Sequence, residues 1–161
     1  MFHISETEKH SAELAILVAE LDAFQAKLYP AESNHCLELS TIKDESIRCL
    51  IVRDQHGNPA GCGAIFLQGD GSGEIKRVYI RSEYRGQKIG EKIVGYLENL
   101  AVKSDCHLLR LETGIYQKPA IALYQNCGYE FCDPFPPYSE DPLSVFMYKN
   151  LNNPVERVII G

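Results

Sequence analysis

No stretch of this 161-residue chain stays apolar long enough to span a bilayer, which argues against a membrane protein. Basic charge is in deficit: 16 Lys and Arg stand against 22 Asp and Glu, a net charge of -6. An electrostatic nucleic-acid binder needs a net basic face, so that class is disfavoured. The opening residues, MFHISETEKH, lack a basic segment followed by an apolar one, and no secretory signal is expected. The six cysteines (Cys36, Cys49, Cys62, Cys106, Cys127 and Cys132) include no C-x-x-C pair, and the five histidines are dispersed. That scatter argues against a zinc site and predicts reduced, mostly buried thiols in a cytoplasmic protein. Repeats and low-complexity tracts are missing as well. What remains is one globular domain, 45% hydrophobic, able to bury a core without a staple.

Phe2 to Ile4 reads as an edge strand, and Ser5 with Glu8 as an S-x-x-E capping box opening a helix. Leu14, Leu17, Val18, Leu21, Phe24 and Leu28 follow at helical spacing, and Pro30 ends the run. The polar segment 31–39 is a loop or a short helix. Residues 47–52, 61–67 and 74–80 predict an antiparallel meander, with a hairpin turn at Asp54–Asn58. The period then changes. Ile89, Ile93, Val94, Leu97, Leu100 and Ala101 share one helical face, 108–111 is a strand, and 118–126 is a short helix closed by Gly128. Residues 129–131 and 144–150 are final strands around a Pro-rich loop. Residues 1–151 are thus expected to form one domain, and 152–161 a tail.

The informative stretch is EIKRVYIRSEYRGQKIGEKIV, Glu74 to Val94. A strand feeds a loop holding Arg85, Gly86 and Gly90, and the loop feeds an amphipathic helix. Small residues admit a ligand close to the backbone, and the first N–H groups of a helix suit a diphosphate. Residues 76–92 carry six basic and two acidic side chains, a local charge of +4 inside an acidic chain. The stretch is neither a phosphate-binding G-K-[ST] loop nor a G-x-G-x-x-G dinucleotide turn.

V-Y-I-x-x-x-Y-R-G-Q-K-I-G resembles the acyl-CoA signature of the GNAT N-acetyltransferase superfamily, Q/R-x-x-G-x-G/A, which falls here on Arg85, Lys88 and Gly90. Lys88 replaces the usual middle glycine. Ala122-Leu123-Tyr124 followed by Cys127-Gly128-Tyr129 is similar to the family's A-x-x-L-Y-x-x-x-G-F helix end. The phrases P-A-E-S-x-H, G-C-G-A, G-E-I-K, L-E-T-G, C-D-P-F and E-D-P-x-S-V-F-M resemble the bacterial YsnE-like subgroup. Together they cover about residues 30–151.

The resemblance implies an α+β GNAT fold: a mixed, mostly antiparallel sheet of about seven strands flanked by helices. It implies acetyl-CoA as co-substrate and no metal. The backbone of Val78 and Ile80, on either side of Tyr79, would pair with the pantetheine arm. Arg85, Gly86, Gln87, Lys88, Ile89 and Gly90 would hold the diphosphate. An N–H near Val78 would polarise the thioester carbonyl, and a neutral amine would attack it directly, with no cysteine nucleophile. Tyr124 matches the general acid. Glu74 or Glu112 is the implied base, and either is equally readable as an ion-pair partner of Lys76 or Arg110. Acceptor contacts are expected from Glu32, Ser33 and His35 and from Phe135, Tyr138 and Asp141. The acceptor is expected to be the primary amine of a small, amino-acid-like metabolite. A protein or peptide amine, or a non-catalytic acyl-CoA sensor, are the alternatives. Many relatives pair, so a homodimer is expected from the resemblance.

Overall fold

The computed structural model describes residues 1–30 and 42–151. β1 (His3–Thr7) pairs antiparallel with β2 (Ile47–Arg53), which continues the meander into β3 (Pro59–Leu67) and β4 (Ser72–Ile80). In β2, Leu50 and Val52 enter one core and Cys49 and Ile51 the other. A strand buried on both faces explains why IRCLIV is an unbroken apolar run rather than an alternating one. α1 (Ala12–Leu28) covers one face with Leu14 and Leu17. α2 (Ile89–Lys103) covers the other with Ile93, Val94 and Leu97, on the face its 3.6-residue spacing predicts. β5 (Leu108–Gly114), α3 (Lys118–Asn126), β6 (Glu130–Cys132) and β7 (Ser144–Asn150) complete the chain. The seven strands lie in the order β1-β2-β3-β4-β5-β7-β6, antiparallel except for β4 with β5. The expected mixed α+β sheet is therefore the observed one. Among the described residues no helix is long and apolar enough to cross a membrane.

One sequence expectation fails locally. Ser5 does not cap a helix; it lies in β1 opposite Ile51. The helix opens further on, where Ser11 Oγ accepts the Leu14 N–H at 3.3 Å. Phe2 and Ile4 pack against the core, and that burial, with the ladder to β2, outweighs a capping signal. The polar segment 31–39, with Glu32, Ser33 and His35, and the tail 152–161 lie outside the described residues.

β4 positions the site. Its register against β3 shifts between Cys62, opposite Tyr79, and Ala64, opposite Lys76, so β4 carries an extra residue there. Arg77 absorbs it with φ +60. A non-glycine residue in the left-handed region costs about 1–2 kcal/mol. The Arg77 guanidinium is tied to Asp22 of α1, and the Cys62 thiol donates to the Arg77 carbonyl at 3.3 Å. The bulge resets the alternation. Ile75 and Val78, three apart, both join the core beneath α2, while Tyr79 packs beneath α1. The parallel ladder to β5 is short as well: it joins Ser72–Glu74 to Leu108–Arg110 and stops. Beyond Glu74 the two strands separate into a wedge.

Candidate active site

Two clefts open from that wedge. The first runs along Val78, Tyr79 and Ile80 to the loop before α2, and is lined by Arg85, Gly86, Lys88, Ile89 and Gly90. Arg85 Nε donates to the Ile80 carbonyl at 3.1 Å and pins the loop to the strand end. Gly86 (φ +82) and Lys88 (φ +61) then turn the backbone so that α2 begins at the cleft. The first N–H groups of α2 have no intrahelical acceptor. Gly90 faces α3: a Cβ there would sit 2.9 Å from Leu123 Cδ2, so that side chain would have to shift. Tyr84 donates to Asp54 at 2.7 Å and ties the turn at Ser82–Tyr84 to the β2–β3 hairpin. That hydrogen bond, with backbone donors, holds the Asp54 carboxyl at about 2. Phe24, Val78, Ile80, Ala120 and Leu123 supply apolar wall. A strand edge unpaired on one side, an apolar trench and an N–H cradle suit a long ligand with an anionic diphosphate.

The second cleft lies between β4, β5, α1 and α3, and is smaller: about 100 Å³ against about 460 Å³. Glu74 is 3% exposed. Its Oε2 accepts from Lys76 Nζ at 3.1 Å and from the Tyr138 hydroxyl at 2.5 Å, and Lys76 Nζ lies 3.2 Å from the Tyr138 oxygen. Burial, helped by the Glu74 charge, pushes the Tyr138 phenol up. Glu112 Oε2 accepts from the Ser144 hydroxyl at 2.7 Å. Tyr29 closes the rim: its ring stacks on Tyr116 with centroids 5.6 Å apart, and its oxygen accepts the Tyr116 N–H at 3.1 Å.

Leu21, Val78, Gln117, Ala120 and Tyr124 line both clefts. Tyr124 is 7% exposed, and burial pushes its phenol well above the ordinary value, so it keeps its proton. No hydrogen-bond partner for its hydroxyl occurs among the described residues. Ile75 shares a core with Tyr124, and Glu74, the neighbouring residue of an extended strand, faces the other way. Phenol and carboxylate thus approach the wedge from opposite faces of the sheet.

Most sequence-predicted residues fall on one cleft or the other: Tyr79, Ile80, Arg85, Gly86, Lys88, Ile89 and Gly90 on the first, Glu74, Glu112 and Tyr138 on the second, Val78 and Tyr124 on both. Gln87, Phe135 and Asp141 do not. Gln87 turns back, its Nε2 donating to the Tyr84 carbonyl at 3.4 Å. Phe135 is 3% exposed and packs on Tyr138, Phe146 and the Arg110 guanidinium. Apolar burial claims that ring, so it supports Tyr138 instead of lining the cleft. Asp141 holds its own turn, accepting the Leu143 N–H at 2.9 Å. Tyr29, Gln25 and Gln117 line the second cleft with no sequence signal beyond their proximity to element ends. No cysteine lines either cleft among the described residues, and burial pushes the Cys49 and Cys62 thiols up to about 11 and about 12.

A helix start with free N–H groups, an open strand edge and a buried phenol where two clefts meet suit an acyl-CoA-dependent acyltransferase. The chain belongs to the acetyltransferase (GNAT) family, whose model matches residues 14–129. It is 44% identical over 136 residues, 84% of this chain and 88% of the other, to an IAA acetyltransferase of Azospirillum brasilense. It is 30% identical to the N-acetyltransferase YsnE of Bacillus subtilis over 92% of this chain and 99% of that one. Among solved structures, an acyl-CoA N-acyltransferase from Klebsiella pneumoniae superposes with a TM-score of 0.87 at 45% identity, covering 94% of this chain and 99% of that one. The protein is an acetyl-CoA-dependent N-acetyltransferase.

Proposed function

We propose that the protein acetylates the primary amine of a small, amino-acid-like molecule by direct attack within a ternary complex. The observation that carries this reading is the meeting of the two clefts at Val78 and Tyr124, with Glu74 arriving from the opposite face. Acetyl-CoA brings an activated thioester. The residues fit it: the free edge of β4 at Val78 and Ile80 holds an amide-rich arm, and the N–H groups around Lys88 to Gly90 hold the diphosphate. An N–H near Val78 is placed to polarise the reacting carbonyl. The amine arrives as ammonium and loses a proton to Glu74, whose Oε1 carries no hydrogen bond among the described residues while Oε2 is held. Glu112, on the same cleft, is the second candidate base. Tyr124 gives its proton to the departing sulfur. The narrow acceptor cleft supports a small amine over a folded protein surface. The scattered, protonated thiols support a reduced, cytoplasmic setting.

The test has two stages. Saturating acetyl-CoA is expected to raise the melting temperature. Thiol release is then followed with amino acids, aromatic and aliphatic monoamines, polyamines, peptides and IAA, the molecule in the Azospirillum relative's name. Turnover on small amines supports the reading. Turnover on peptides alone would overturn the small-molecule assignment, and stabilisation without turnover on any acceptor would make the fold a cofactor sensor.

A further inference from the structure

We infer that Tyr138 and Lys76 are positioning residues for the proton-accepting carboxylate, not acceptor contacts, and that together they commit one oxygen of Glu74 to the protein and leave the other to the substrate. The inference rests on the reading of Glu74 as the base. Three side chains form a closed triangle: Glu74 Oε2, Lys76 Nζ and the Tyr138 hydroxyl, with sides of 3.1, 2.5 and 3.2 Å. Both donors converge on the same oxygen. Glu74 is 3% exposed, and the Lys76 side chain 9%.

A carboxylate in an extended strand ordinarily rotates about its last bonds; here two donors from different elements fix its plane. Lys76 comes from the same strand, two residues on and therefore on the same face. Tyr138 comes from the loop between β6 and β7, and its ring is wedged against Phe135 and Phe146, with centroids 5.2 and 5.6 Å away. Phe135 is held in turn under Arg110, 4.7 Å from the ring. The aromatic stack thus sets where the phenol stands, and the phenol sets where the carboxylate points. The lysine brings its positive charge to within 3.1 Å of the buried carboxylate. A base that must meet an incoming ammonium needs one lone pair directed at it and no freedom to turn away.

Among the described residues, the charged and titratable groups around Glu74 include Lys76 on its own strand, Tyr138 from the loop, Arg110 opposite it and Glu112 further along β5, and Arg77 with Asp22 of α1 behind the bulge.

The experiment uses the full chain, one acceptor and acetyl-CoA. Glu74→Gln tests the underlying reading: kcat should fall about 100-fold or more with cofactor-induced stabilisation intact. Activity retained in that variant would remove the base, and with it this inference. Given that loss, Tyr138→Phe, which keeps the ring packing, should lower kcat about tenfold and leave the acceptor KM within about twofold. Lys76→Met should lower kcat further with KM again little changed, and Lys76→Arg should restore it. A raised KM with kcat unmoved in Tyr138→Phe would make Tyr138 an acceptor contact and overturn the inference. A lowered melting temperature with kcat and KM unmoved would reduce it to packing, with the same consequence.

Discussion

The two clefts are built from different material. The cleft proposed for the cofactor is made by backbone: an unpaired strand edge, two left-handed residues and the start of a helix, with Gly90 facing Leu123 of α3. Its side chains supply mostly apolar wall. The cleft proposed for the acceptor is made by side chains from several elements and a loop, among them Glu74, Lys76, Arg77 and Glu112, two acids and two bases in a small space. Backbone geometry tolerates substitution as long as φ and close approach survive. A side-chain cluster changes its chemistry with each residue. The contrast implies that one protein can keep its cofactor while changing its acceptor, and that the two functions are separable by mutation.

Tyr124 stands where the clefts join, and Tyr124→Phe is expected to break the enzyme most severely. If the phenol protonates the sulfur, kcat should fall about 100-fold while the affinity for acetyl-CoA changes less than about threefold. Equal losses in both would show that the residue belongs to the cofactor wall alone and would blur the contrast. Gly114→Ala probes chiefly the acceptor side, because Tyr29 lines that cleft, although its partner Tyr116 lines the other. A Cβ there would stand 1.7 Å from the Tyr29 oxygen, so the ring must swing away. That breaks its stack on Tyr116 and the Tyr116 N–H bond, a stability loss of about 1–2 kcal/mol. The acceptor range should broaden and KM rise several-fold, with acetyl-CoA titrations unchanged; a weakened cofactor would show the clefts to be coupled.

The same contrast explains what the sequence revealed. The loop before α2 was legible because its constraints fall on closely spaced residues of restricted type: Arg85, Gly86 and Gly90 sit within one motif. Helix faces were legible for the same local reason, down to the bounds of α3 and the closing Gly128. The bulge was not, because Arg77 has no intrinsic taste for a positive φ; Asp22, 55 residues away, holds it there. Nor was the use of Tyr138, which became a partner of Glu74 through a contact 64 residues distant. Ser5 and Ser11 are both residues of the capping type, and a ladder to β2 chose between them. Gln87 sits inside the cofactor motif and still turns away, since a motif specifies backbone and leaves an exposed side chain to its nearest acceptor.

Lys88→Gly tests whether backbone alone makes the cofactor cradle. Glycine relieves the left-handed strain of about 1–2 kcal/mol at a cost of about 0.5–1 kcal/mol in unfolded-chain entropy. The variant should be more stable by about 0.5–1 kcal/mol, raising Tm by roughly 1–4 °C. It also loses a cation on the cleft, so acetyl-CoA binding should weaken by no more than about fivefold and become less sensitive to salt. A cradle lost altogether would mean that the ammonium, not the N–H groups, holds the ligand.

The smallest effect is expected at the tether behind the cradle, and it appears as pH dependence. The Tyr84 hydroxyl, joined by the Asn58 and His56 N–H groups, holds the Asp54 carboxyl at about 2 against an ordinary 3.8. A carboxylate depressed by folding adds stability that is fully present above its unfolded value and is lost as pH falls through the folded one. The wild-type urea midpoint should therefore drop between about pH 4 and pH 2, with Asp54 contributing part of the slope. Asp54→Asn keeps one acceptor oxygen for the His56 and Asn58 N–H groups and puts an amide donor where the Tyr84 hydroxyl and Asn58 Nδ2 now donate. It also removes the charge, so its midpoint should be lower at neutral pH and its profile flatter in acid. Since Tyr84 lines the cofactor cleft and not the acceptor cleft, acetyl-CoA affinity should shift slightly and acceptor KM should not move. An acceptor KM that tracked Asp54 would show the tether to act across the wedge, and the separation of the two clefts would have to be given up at that point.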